Sequence, residues 1–301
     1  MKTHCASQTS LIGRFPRNNV SWQGACSDTV RGMIFKKTLL ALIAALALPV
    51  PATAQNFDDV LDATLLTGWR QSDGSHMAGV LLSLAPGWHT YWRAPGDAGI
   101  PPVFDLRGSG NFKAAQIVWP RPEVYYDNGL RSIVYYDQVV LPLRVTPTKK
   151  GGDVTLKAQI EVGICKDICV PQTLNVSATL PASATKRDPR IAAALADRPF
   201  SGKQAGAKNV RCEIKPSSDG VSLATSVTLP RVDQNEAVVI ETANPLLWVA
   251  EPTSTRSGNT LTSQTSVQHV EGTPFMLNRS GIRITVLGEQ RAVEIIGCKG
   301  G

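Results

Sequence analysis

Apolar and polar residues alternate one by one through two neighbouring stretches of the chain, the period of a half-buried strand. Val154, Leu156, Ala158, Ile160 and Val162 interleave with Thr155, Lys157, Gln159 and Glu161, and Leu174, Val176, Ala178 and Leu180 resume the pattern after a short break. The two runs predict a hairpin, with Gly163 and Pro171 flanking its turn. Further strands are predicted at 60–67, 77–84, 116–119 and 139–145, and in the second half at 220–229, 237–241, 246–249, 281–287 and 293–296. Gly/Pro clusters such as Ala85-Pro86-Gly87 and Ala94-Pro95-Gly96-Asp97 separate them. One short helix is predicted at 189–196, with Asp188 as its N-cap and Pro189 at its first position. Short strands without strand–helix alternation predict an all-β fold of antiparallel sandwiches.

The amino-terminal part follows a different pattern. Met33-Ile34-Phe35-Lys36-Lys37 is a short basic head, 39–48 is an apolar run of ten residues, and Ala52-Thr53-Ala54 is a small-x-small cleavage pattern. Residues 1–54 are therefore expected to be leader and signal peptide, cut after Ala54, with Met33 as the true start. The apolar run is too short to span a bilayer and no later stretch approaches 18 apolar residues, so the mature protein is expected to be exported, soluble and without a membrane span.

Loss of the leader changes the charge. It carries six Lys/Arg and one acidic residue, leaving 25 basic against 23 acidic residues and no electrostatic footprint for nucleic acid. The remaining 247 residues predict two domains. All five tyrosines and four of the five tryptophans beyond the leader precede residue 137, which places a first domain at 55–182 and a second at 209–301. Residues 183–208, which contain the helix, form the linker between them.

Four cysteines remain once Cys5 and Cys26 leave with the leader, and an even number in an oxidising compartment predicts two disulfides. Cys165-Lys166-Asp167-Ile168-Cys169 falls in the predicted hairpin turn. Extended, this segment would span roughly 13 Å, whereas a disulfide needs Cα atoms about 4.4–6.8 Å apart, so it must turn tightly. In the loop-entropy picture such a short ring contributes only about 2 kcal/mol, against about 4.6 kcal/mol for a ring closed by Cys212 and Cys298. Cys212 and Cys298 therefore read as a structural bridge, and Cys165 and Cys169 as the candidates for chemistry, with a structural staple as the alternative for the short ring. Lys166 would favour a thiolate at Cys165 and Asp167 opposes it.

Other chemistries find less support. Two thiolates at this spacing could hold a soft ion such as Cu(I), but His76, His89 and His269 are scattered, and Met77 and Met276 are too few for a methionine-rich copper motif. No metal and no cofactor are expected. The H-E-x-x-H, G-x-S-x-G and P-loop signatures are absent. Trp88, Tyr91 and Trp92 read as core and edge packing, with an aromatic shelf for sugar as the alternative.

Several separated motifs carry a resemblance. GWHTYWRAPGDAGIPP at 87–102, Trp119-Pro120, Tyr136-Asp137 through Leu141-Pro142, and Cys165-x-x-x-Cys169-x-Pro171 occur in the order found in the amino-terminal periplasmic domain of the DsbD thiol:disulfide interchange family. The chain is most similar to the branch that includes the ScsB copper-tolerance proteins, over about 55–182 and more loosely beyond. The resemblance implies immunoglobulin-like sandwiches and a cysteine pair that cycles between dithiol and disulfide. It implies that Cys169 forms the mixed disulfide with partners and Cys165 resolves it, and that an aromatic cap loop, here with Tyr125 and Tyr126, shields the pair. The implied partners are periplasmic thioredoxin-fold proteins, such as disulfide isomerases or cytochrome c maturation factors. Many members separate the cysteines by five residues rather than three. Full-length members continue into a membrane domain and a thioredoxin-like domain, whereas this chain stops at Gly301, so a separate membrane thiol reductant is the expected donor. The readings that compete with a thiol–disulfide relay are a noncatalytic periplasmic binding or scaffolding module with structural disulfides, and a copper-handling module.

Overall fold

In the computed structural model, which describes residues 59–301, ten strands lead from the first described residues to Leu180. They are β1 Leu61–Arg70, β2 His76–Leu84, β3 His89–Gly96, β4 Val103–Asp105, β5 Phe112–Ile117, β6 Glu123–Asp127, β7 Leu130–Tyr136, β8 Gln138–Pro147, β9 Val154–Cys165 and β10 Cys169–Leu180. The expected signal peptide, the Met33 start, Cys5 and Cys26 lie outside the described residues. One sheet runs β1-β2-β8-β5; a second runs β10-β9-β3-β7-β6, with β4 also paired to β9. Every pairing in these two sheets is antiparallel. The alternation at 154–162 has its predicted consequence: Val154, Leu156, Ala158, Ile160 and Val162 are all buried, while the residues between them are exposed. They meet Val80, Leu82, Leu141 and Leu143 of the first sheet in one core with Trp92 and Ile133.

The helix α1, Pro189–Ala196, starts where the sequence predicts, with the Asp188 carboxylate accepting from the Arg190 amide at 2.9 Å. It is docked rather than free. Ile191 is fully buried with Leu66, Trp69 and Met77, and the missing side chain of Gly79 in β2 leaves it room.

A second multi-sheet region follows, with β11 Phe200–Ser201, β12 Lys208–Ser217, β13 Gly220–Thr228, β14 Ala237–Glu241, β15 Leu247–Val249, β16 Thr253–Ser257, β17 Thr260–His269, β18 Arg283–Leu287, β19 Ala292–Ile296 and β20 Lys299–Gly300. Its sheets run β11-β19-β18-β14 and β15-β17-β13-β12-β20, with β16 also paired to β17. The expectation of purely antiparallel sheets needs a correction at two edges, because β11 lies parallel to β19 and β20 parallel to β12. These two-residue edge strands are where the chain enters and ends the region, and the Cys212–Cys298 disulfide joins β12 to the residue just before β20.

The described residues, 59–301, belong to one compact unit, and the two regions share apolar and ionic contacts within it. Val239, Leu287 and Ala292 belong to the same buried cluster as the first region's core. Arg93 of β3 makes a forked pair with Glu241 of β14 at 2.9 and 2.8 Å and reaches Glu294 of β19 at 2.7 Å. Beside it, Arg131 of β7 donates to the Val238 carbonyl at 3.1 Å.

Candidate functional site

Strand β3 lies between β9 and β7, so the register places His89 opposite Cys165 on one side and Tyr136 on the other, while Cys169 pairs with Cys165 across the hairpin. Four side chains thus form a row across the sheet on the face turned away from the core. Alternation along β3 puts Tyr91 on the same face as His89. Cys165 and Cys169 form a disulfide with Cα atoms 4.2 Å apart, closed over Lys166-Asp167-Ile168, whose ends are joined by a Lys166 N–H to Ile168 carbonyl bond of 3.2 Å.

The two cysteines occupy unlike settings. Cys165 is 2% exposed, whereas Cys169 is exposed. The Tyr91 phenol lies 2.8 Å from Cys165 Sγ and 3.5 Å from Cys169 Sγ. Sulfur in a disulfide has no proton to give, so the phenol is the donor. Burial, and then the proximity of Tyr125, raises the Tyr91 pKa and keeps the phenol protonated at neutral pH. Tyr136 is pushed up to about 12 by burial, with Tyr125 and Glu123 adding to the effect.

An aromatic cluster backs this arrangement. His89 is packed against Tyr91, Tyr125 and Tyr136 at ring separations of 5.4, 5.2 and 5.5 Å, and Tyr125 and Tyr136 meet edge to face at 6.2 Å. Burial lowers the His89 pKa, which favours a neutral imidazole. The structure therefore brings together Cys165, Cys169 and Tyr125 of the residues singled out from sequence. Tyr126, next along β6, is 62% exposed and faces a groove of about 840 Å³ between the two regions, with Val124, Gln234 and Leu287 in its walls. Lys166 reaches across to the Pro86 carbonyl at 3.5 Å. Cys212 and Cys298 form the second disulfide, within the second region.

Sequence reasoning assigned Tyr91 to packing and gave His89 and Tyr136 no place at the pair. The signal was the alternation His89-x-Tyr91 within a strand, obscured because Pro95 and Gly96 read as a turn while β3 continues to Gly96. Among the described residues no group of three or more His, Cys, Asp or Glu is arranged to hold a metal ion, and no helix is long and apolar enough to cross a membrane.

Residues 62–181 match the family model described as thiol:disulfide interchange protein DsbD, N-terminal. Among solved structures, the N-terminal periplasmic domain of ScsB from Proteus mirabilis is similar at 18% sequence identity and a TM-score of 0.62, over 82% of this chain and 96% of that one. At that identity the likeness is one of fold. No curated protein sequence matches the chain.

Proposed function

We propose, from the match of residues 62–181 to the family model of the DsbD N-terminal domain, that the chain is a periplasmic thiol–disulfide relay working through Cys165 and Cys169. The observation that carries the reading is the asymmetry of the pair: Cys169 is an exposed residue, whereas Cys165 is buried and accepts a hydrogen bond from the Tyr91 phenol at its sulfur. Thiol–disulfide exchange needs this division, because an incoming thiolate must reach one sulfur in line while the other leaves.

In the reduced state the Cys169 thiolate attacks a disulfide of a thioredoxin-fold partner, forming a mixed disulfide and freeing one partner thiolate. The Cys165 thiolate then attacks Cys169 Sγ, re-forming the Cys165–Cys169 bond and releasing the second partner sulfur as a thiolate. Two electrons pass to the partner and two protons follow from solvent. A separate membrane-linked dithiol restores the pair by the same steps in reverse, with Cys165 as the leaving thiolate. Tyr91 assists there, because a hydrogen bond to an ionised sulfur is stronger than one to a neutral sulfur. Tyr125 is the cap: it covers His89 and flanks Tyr91, and it lies on a short edge strand that a docking partner can displace. The reading takes the two multi-sheet regions as immunoglobulin-like sandwiches at 55–182 and 209–301, linked through 183–208, with Cys212–Cys298 as a structural bridge.

The test uses a thioredoxin with one active-site cysteine, activated as its mixed disulfide with thionitrobenzoate. The Cys165→Ser variant is expected to release the yellow thiol and accumulate a stable covalent complex through Cys169. With Cys169→Ser, the buried Cys165 is expected to react far more slowly. Equal rates for the two variants would remove the role assignment.

A further inference from the structure

The segment Asp97-Ala98-Gly99-Ile100-Pro101-Pro102 folds back over the same face as the disulfide. Strand β3 ends at Gly96, whose φ of 87° turns the chain, and a side chain there would strike the Arg131 carbonyl oxygen. The returning chain then makes two close approaches. Gly99 lies on Tyr91, where an added Cβ would stand 2.7 Å from the ring, and Ile100 lies across Gly163, where an added Cβ would stand 2.6 Å from the Ile100 Cβ. Gly163 is two residues before Cys165 in β9, on its side of the sheet.

We propose that the Gly99–Ile100 turn is a positioning element for the pair: seated on bare Gly163, it presses against the Tyr91 ring and holds the phenol 2.8 Å from Cys165 Sγ. His89 restrains the ring from another side at 5.4 Å. Without the turn the phenol can swing away and lose a bond that strengthens when Cys165 becomes a thiolate. A held phenol therefore favours the reduced pair. The functional meaning of this rests on the relay reading, but the contact and its effect on the sulfur do not require a protein partner.

The experiment equilibrates the protein with glutathione, in which two glutathiones reduce the Cys165–Cys169 disulfide to a dithiol and leave as oxidised glutathione. The state of this pair is read from the masses of its alkylated peptides, which separates it from Cys212–Cys298. Tyr91→Phe is expected to lower the equilibrium constant for reduction about fivefold, or about 20 mV at 29.6 mV per tenfold. Ile100→Gly, at a position 38% exposed, is expected to move it in the same direction. The two changes together are expected to equal Tyr91→Phe alone, since both act through one contact. Gly163→Ala, which wedges the turn outward, supplies a second route to the same shift. An unchanged constant in Ile100→Gly, or a shift that persists at full size in the Tyr91→Phe background, would overturn the proposal. Both readouts are independent of whether a thioredoxin-fold protein is captured by Cys169.

Discussion

His76 and His89 are both buried and both have pKa values lowered from 6.5, chiefly by burial. The unfolded chain therefore binds more protons than the folded one below about pH 6.5, so stability is full above that value and falls as pH drops towards the lowered values. Urea unfolding is expected to show a less stable protein at pH 5 than at pH 7.5, with a shallower dependence in His89→Phe; a flat profile in the parent would contradict the burial argument. At this scale the sequence was legible for Cys165 and Cys169, because their spacing and the alternating runs around them placed both in one turn. It was not legible for Tyr91, whose partner sulfur is 74 residues away and reached only through strand pairing. Tyr125 and Tyr126 look alike in sequence, and only the pleat of β6 puts them on opposite faces.

Apolar inward positions made several strands legible, though β3 and β7 were missed despite Trp92, Ile133 and Tyr135 facing the core. The β9–β10 hairpin lies where the alternation put it, and β14 where a short apolar run did. By contrast β17 was missed, because two of its inward positions are Ser263 and Thr265, buried at 2% and 7% exposure and satisfied by Ser254 at 2.8 Å and the Ala250 carbonyl at 2.6 Å. Strand β12 hid behind charged Arg211, Glu213 and Lys215, with Cys212 buried between them. The Cys212–Cys298 bond ties that strand to the last residues of the chain. Replacing both cysteines with alanine is expected to cost about 2–5 kcal/mol in denaturant unfolding, whereas the same change at Cys165 and Cys169 should cost about 2 kcal/mol or less. The reverse order would reassign which bridge is structural.

Across the whole molecule, the two regions meet through a merged core and through Arg93, which is 14% exposed and holds Glu241 and Glu294. No local pattern in sequence announces such a triad, since its members are 148 and 201 residues apart. Arg93→Met strips Glu241 of its forked partner and leaves Glu294 to Arg283 alone, and is expected to cost about 3 kcal/mol. Calorimetry of the parent is expected to give one cooperative transition, and that of Arg93→Met a lower or divided one. Strand β3 carries both Arg93 and the residues His89 and Tyr91, so the seam and the disulfide share one rigid support. The central claim, that Cys165–Cys169 exchanges electrons rather than stapling a turn, is tested most directly by the equilibrium reduction potential of the pair in defined thiol buffers. The relay account predicts a value less negative than about −300 mV, within reach of thioredoxin-like donors, whereas a pair still oxidised far below that value would be a structural disulfide.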